Sequence, residues 1–138
     1  MLVGTGTDLT EIDRVAASME RHGRRFLERI FTEGEIRYCE RKKKTSAESF
    51  AARFAAKEAG AKALGTGISQ GVGWKEIEVR REPGGRPTLH LSGRAAERAA
   101  RMGVRQISLS LTHTRGLAMA VVMMEDNDTP SQRSPEPV

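Results

Sequence analysis

Lys57, Glu58 and Lys62 share one short segment of a chain whose neighbouring residues are mostly small and apolar. Read from Phe50 to Leu64 as a helix at about 100° per residue, the segment gathers Ala47, Phe50, Phe54 and Ala61 into one narrow arc. Lys57 falls beside that arc, Glu58 just past its other edge and Lys62 one turn beyond Glu58. Charge beside a buried stripe is costly unless it is paired, hydrogen-bonded or used to bind something. A plain reading is a surface ion pair at four-residue spacing, worth only about 0.2–0.5 kcal/mol. A chemical reading brings in Asp8, which closes an N-terminal strand-like run. Two carboxylates distant in sequence can converge on a hard cation, and Mg²⁺ commonly takes one or two protein carboxylates and completes its shell with phosphate oxygens and water. Lys57 and Lys62 would then stand ready for those phosphates. Asp8 also has a bland alternative, a helix cap with Glu11 three residues on.

Other side chains invite comparable readings. On a single wheel, Arg21 and Arg25 fall within about 20° of Arg14, with Arg24 about 80° away, while Ile12, Val15 and Met19 lie on the opposite side. An arginine stripe suits carboxylate or phosphate recognition, here an acidic partner helix, against the alternative of a merely solvated face. His113 shares a strand face with Ile107, Leu109 and Leu111, which reads as a buried, satisfied histidine; Ser108 and Ser110 point the other way, so no Ser–His nucleophile pair is supported. Cys39 stands among Glu40, Arg41 and Lys42, a setting able to lower a thiol pKa, but no nucleophile's partners surround it. The Gly65–Gly73 loop lets backbone approach a ligand but lacks the Gly-x-x-x-x-Gly-Lys-Ser/Thr pattern of a nucleotide triphosphatase.

Positioning these groups requires both helices and antiparallel strands. Leu2–Asp8 reads as a strand with Leu2, Gly4, Gly6 and Asp8 on one face, the glycines leaving room for a backbone or ligand. Helices are expected at 10–22 and 33–43, with 26–32 a connector or short helix. A longer helix follows to Leu64, capped by Thr45 or Ser46. Residues 77–81 and 88–91 form strands around a Pro-Gly-Gly turn, Ser92 caps a helix that stops at Gly103, and 106–114 pairs with 117–124 across Arg115-Gly116. The pattern predicts an α+β domain over residues 1–125, an antiparallel sheet with a long packed helix. A polar, proline-bearing stretch at 126–138 reads as a disordered tail.

The chain has 138 residues, a net charge of +5 and 30% charged residues, which fits one soluble domain. From Arg14 to Lys44, ten Arg and Lys face five Glu, so the positive surplus is regional. It fits an acidic protein, a phosphorylated ligand, nucleic acid or a membrane surface. Aromatic residues make up only 4% and no stacking pattern interleaves Arg41-Lys42-Lys43-Lys44, which argues against nucleic acid. No apolar run is long enough to span a bilayer. A lone cysteine and the lack of a signal-like start point to the cytoplasm.

Two segments together resemble a known family. Gly6-Thr7-Asp8 with Arg14 is similar to the Gly-x-Asp-x-x-x-x-x-Arg signature of 4′-phosphopantetheinyl transferases. Phe54-Ala55-Ala56-Lys57-Glu58-Ala59-Gly60-Ala61-Lys62-Ala63 resembles their Phe-x-x-Lys-Glu-Ala/Ser-x-x-Lys-Ala signature. Ser110-Leu111-Thr112-His113-Thr114 is similar to the C-terminal hairpin of the holo-acyl-carrier-protein synthase type. The likeness spans about residues 2–124. It implies the 4′-phosphopantetheinyl transferase fold and transfer of phosphopantetheine from coenzyme A to a serine of apo-acyl-carrier protein, for fatty acid biosynthesis. It also implies Mg²⁺ and a homotrimer with active sites between subunits. By motif position, Asp8 and Glu58 match the metal ligands, and Asp8, Glu58 and Lys62 the catalytic set. Lys57, Lys62 and His113 match coenzyme A contacts, and Arg14, Arg21, Arg24 and Arg25 the carrier-protein docking surface. Three candidates for the base remain: Glu58, a metal-bound water or a carboxylate of the carrier protein.

Overall fold

A computed structural model describes residues 1–127. Strand β1 (Leu2–Glu11) is followed by three short helices, α1 (Ile12–His22), α2 (Arg24–Ile30) and α3 (Glu33–Glu40), then by the long helix α4 (Ser46–Ala63). Strands β2 (Ile77–Arg81) and β3 (Pro87–Leu91), helix α5 (Gly93–Met102), and strands β4 (Gln106–Thr114) and β5 (Leu117–Glu125) complete it. β1, β5 and β4 make an antiparallel sheet in that order, and β2 and β3 a separate antiparallel pair. The predicted α+β architecture is thus present, with α4 lying across β1 and β5.

β1 carries the site because its glycines let it approach a helix backbone. A Cβ at Gly4 or Gly6 would run into the carbonyl oxygen of Ala63 or Ala59, so the room those glycines leave is filled by α4 itself. The strand continues to Glu11, opposite Leu117, and the first helix starts at Ile12 rather than Thr10. An irregularity between Leu2 and Gly4 turns Leu2 outward, off the expected face.

α4 departs most from expectation. In place of one buried stripe it is enclosed on nearly every side, and Ala51, Ala55, Ala56, Ala59 and Ala61 are inaccessible. Alanine serves both as the best helix former and as the side chain that permits close approach from several directions. One apolar cluster joins its C-terminal half to β2, β3, α5 and the sheet; another joins its N-terminal half to α1–α3 around Phe31, Ile36 and Phe50.

The helix ends differ too. Neither Thr45 nor Ser92 makes a side-chain cap; the Glu76 carboxylate accepts the Arg94 N–H at the start of α5 instead. Thr32 and Glu35 form the capping box of α3, a Thr-x-x-Glu pattern legible in the sequence. α3 stops at Glu40, short of Lys43. Gly23, at φ 57°, breaks the run between α1 and α2. Of the expected tail, Asp126 is described and accepts an ion pair from the Met1 ammonium at 2.8 Å; residues 128–138 lie outside the described residues. Among the described residues no helix is long and apolar enough to cross a membrane.

Candidate active site

Asp8 follows Gly6 by two residues and so occupies the next position on the face of β1 turned to α4. Because β1 rests on the α4 backbone, Asp8 meets the groups one turn apart on that helix, Glu58 and Lys62. The Lys62 ammonium donates to Asp8 Oδ1 at 3.1 Å and to the Thr7 carbonyl at 2.9 Å, and the Thr10 hydroxyl donates to Asp8 Oδ2 at 3.0 Å. The capping alternative for Asp8 falls away, since it lies within a strand and Glu11 holds the N-cap position of α1. All three charged groups border one open cleft of about 550 Å³, together with Arg14, Phe26 and Phe54.

The electrostatics of this cleft favour a cation. Glu58 has no hydrogen-bond or ion-pair partner among the described residues. Burial, and then the Asp8 charge, push its carboxyl above the ordinary carboxylate range, and Lys62 only partly opposes them. No group of three or more His, Cys, Asp or Glu able to hold a metal occurs among the described residues, so a closed structural centre is not built here. Two adjacent carboxylates facing open space match the ligand habit of Mg²⁺, which retains water and takes phosphate oxygens.

Lys57 is corrected by the structure. It is fully buried, and its ammonium pairs with Glu35 Oε1 at 2.8 Å while donating to the Trp74 and Ile77 carbonyls at 3.0 and 2.7 Å. Every donor of the ammonium is engaged away from the cleft, so the expected phosphate contact is not open to it. A helix wheel placed Lys57 beside the packed arc but could not show that Glu35 waits there.

His113 does not join Asp8 and Glu58 within one chain. It is exposed rather than buried, with Nδ1 at 3.8 Å from Glu48 Oε2, and borders a second cleft of about 310 Å³. Lys42, Arg53 and Arg81 line the same cleft around Tyr38. Their cationic groups lie 4.9, 4.1 and 5.7 Å from the Tyr38 ring centre. Burial alone would raise the Tyr38 pKa, but the Lys42 contact and the surrounding positive charge hold it below its usual value. Only the Arg41–Lys44 run signalled this basic cleft in the sequence.

The arginine stripe is divided by the break at Gly23. Arg14 and Arg21 belong to α1, Arg14 reaching the first cleft, whereas Arg24 and Arg25 begin α2. Arg24 is committed to Glu28, Glu33 and Glu40 at 3.2, 3.7 and 3.2 Å; Arg21 and Arg25 are exposed. Cys39 is wholly buried, and loss of solvation pushes its thiol up to about 12, the reverse of the activation its neighbours suggested. Sequence reasoning missed Thr10, Phe26 and Phe54 as parts of the cleft. Phe54 belonged to the motif, but its apolar type signalled only packing.

Comparison with known proteins points in one direction. The model of the 4′-phosphopantetheinyl transferase superfamily matches residues 4–122. A holo-[acyl-carrier-protein] synthase of Koribacter versatilis (strain Ellin345) is 53% identical over 126 residues, which is 91% of this chain and 100% of that protein. The crystal structure of the Neisseria meningitidis holo-[acyl-carrier-protein] synthase superposes with a TM-score of 0.82 at 31% identity, over 91% of this chain and 100% of that one. The Bacillus anthracis protein, solved in complex with coenzyme A (3′,5′-ADP), gives a TM-score of 0.76 at 36% identity, over 92% of this chain and 99% of that one.

Proposed function

The chain belongs to the 4′-phosphopantetheinyl transferase superfamily, and we propose that the cleft between Asp8, Glu58 and Lys62 is where it works on coenzyme A. The enzyme transfers 4′-phosphopantetheine from coenzyme A to a serine of apo-acyl-carrier protein, giving holo-acyl-carrier protein and 3′,5′-ADP, for fatty acid biosynthesis. The observation that carries the site assignment is the meeting of two carboxylates, one left unpaired, with a half-exposed lysine at the mouth of an open cleft.

The serine hydroxyl gives its proton to a base and its oxygen forms a bond to the β-phosphorus as the bond from that phosphorus to 3′,5′-ADP breaks, so negative charge grows on the leaving side. Lys62 can move from Asp8 to that charge without crossing the core, because its side chain is 52% exposed. Asp8 and Glu58 would hold Mg²⁺, which when bound polarises phosphate oxygens and neutralises charge on the pyrophosphate. Thr10 keeps one Asp8 oxygen oriented, leaving the other to Lys62 or the cation. Phe26 and Phe54 wall the cleft with apolar surface, which lowers the local dielectric and strengthens these interactions.

Surface features support the remaining assignments. Arg14, Arg21 and Arg25 offer positive charge for an acidic carrier protein beside the cleft, Arg24 less so because three glutamates already share it. The outer face of the sheet exposes Leu9 at 64%, Met123 at 45% and Leu117 at 39%, an apolar surface suited to a homotrimer. Such packing would let His113 and its basic neighbours face the Asp8 cleft of an adjacent copy, adding cations for the coenzyme A phosphates. The setting proposed for the reaction is the cytoplasm, in keeping with the single buried, reduced cysteine. Incubation with coenzyme A, Mg²⁺ and an apo-acyl-carrier protein, read by intact mass, is expected to show the carrier gaining one phosphopantetheine. An RNA titration alongside should show no tight binding. A carrier whose mass stays constant overturns the reading.

A further inference from the structure

The buried Lys57–Glu35 pair supplies directional contacts that the alanine surface of α4 does not. Lys57 is 0% exposed and Glu35 1%. The Lys57 ammonium meets Glu35 Oε1, the Trp74 carbonyl and the Ile77 carbonyl. Glu35 Oε1 also accepts the Thr32 N–H at 2.8 Å, and Oε2 accepts the Val79 N–H at 2.9 Å. One ion pair therefore ties α3, α4, the turn Trp74–Glu76 and β2 together, with its buried polar atoms used.

Alanine methyls resist compression but specify rotation about the helix axis weakly, since sliding one small bump past another costs little. Hydrogen bonds are directional and weaken steeply when misaligned. Lys57 precedes Glu58 by one residue, so whatever fixes the direction of Lys57 fixes Glu58 about 100° around the same helix. A group about 6 Å from the helix axis moves about 1 Å for a rotation of roughly 10°. Misplacement by about 1 Å can lower a rate of order a hundredfold. A second route leads to the same cleft: the Trp74 ring lies 4.9 Å from the Phe54 ring, and Phe54 forms part of the cleft wall.

We infer that Lys57 is a positioning residue: its buried pairing with Glu35 sets the rotation of α4 and the seating of Trp74, and so aims Glu58 and Phe54 into the cleft. This rests on the assignment of Glu58 to catalysis. The informative variant is Lys57→Met combined with Glu35→Gln, which removes both charges at nearly constant volume and leaves no unpaired buried charge. With the melting temperature near that of the parent, kcat is expected to fall roughly ten- to a hundredfold, with the coenzyme A KM changed less than about threefold. Trp74 is the only tryptophan, so its emission reports the turn directly and should shift in the same variant. Full kcat in the folded double variant overturns the inference. If that variant does not fold, Lys57→Arg, which retains the charge but not the geometry, is read by the same two criteria. Glu58→Ala assayed alongside separates the two claims: full activity there refutes the site assignment, whereas inactive Glu58→Ala beside a fully active double variant refutes only the positioning role.

Discussion

Replacing Gly6 with alanine adds one methyl where β1 and α4 touch backbone to backbone. The new Cβ would overlap the Ala59 carbonyl oxygen and lie 2.9 Å from both the Ala59 carbonyl carbon and the Ala63 nitrogen. None of these atoms belongs to a side chain that can swing aside. Relief requires β1 to retreat from α4 by about 1.5 Å to reach ordinary van der Waals separation. Overpacking of this kind costs about 1–3 kcal/mol, and a rigid backbone on both sides places Gly6→Ala at the upper end, about 3 kcal/mol. At the size of this chain, between the two size classes for which the conversion is known, that is a melting-temperature loss of roughly 10–15 °C. The same retreat carries Asp8 away from Glu58 and Lys62, so transfer should slow of order a hundredfold in protein that remains folded at assay temperature. Gly34→Ala is the control. Gly34 lies in α3, where a Cβ meets nothing nearer than Glu78 Oε2 at 3.7 Å, so alanine should be neutral or stabilise by about 0.5–1 kcal/mol. Circular dichroism melts and the intact-mass transfer assay on both variants decide the matter. A Gly6→Ala melt within about 2 °C of the parent, less than about 1 kcal/mol, would refute the backbone-contact reasoning.

Three further outcomes are expected. Glu58 holds its proton to higher pH in the folded chain than in the unfolded one, because burial and then Asp8 disfavour its charge. Its contribution to stability is therefore present below the ordinary carboxylate range and lost as pH rises through the raised value, so Glu58→Gln should stabilise the ligand-free protein at neutral pH while stopping transfer. Mg²⁺ should raise the parent's melting temperature and leave that of Glu58→Gln unmoved; equal shifts in both forms would remove Glu58 from the cation site. Arg21→Glu should raise the carrier-protein KM several-fold and leave the coenzyme A KM nearly unchanged, with added salt weakening carrier binding in the parent; steady-state kinetics over a salt series test this. Native Cys39 should resist a thiol reagent at neutral pH and react once the protein is unfolded in denaturant, because its thiol is buried and pushed up to about 12; rapid labelling of the folded chain would contradict that environment.

Sequence alone determined the mixed architecture and the hairpins, and it singled out Asp8, Glu58 and Lys62, which the fold brings to one cleft. Alternation and helical period are local properties, and the two signatures hold fixed spacings along the chain. The glycines at positions 4 and 6 announced a close approach, although not that α4 was the approaching partner. Tertiary structure decided the rest, because it depends on which distant segments meet. Lys57 and Glu58 are neighbours of equal promise on a helical wheel. Lys57 was claimed by Glu35, 22 positions earlier, and Glu58 was left facing the cleft. The four arginines looked continuous until a left-handed Gly23 divided them and three glutamates gathered around Arg24. His113 lies on the strand face that the two-residue period assigns it, yet it is exposed and borders another cleft, beside Glu48 of α4. Local sequence sets which way a side chain leaves its own element; only packing of the whole chain sets what it meets.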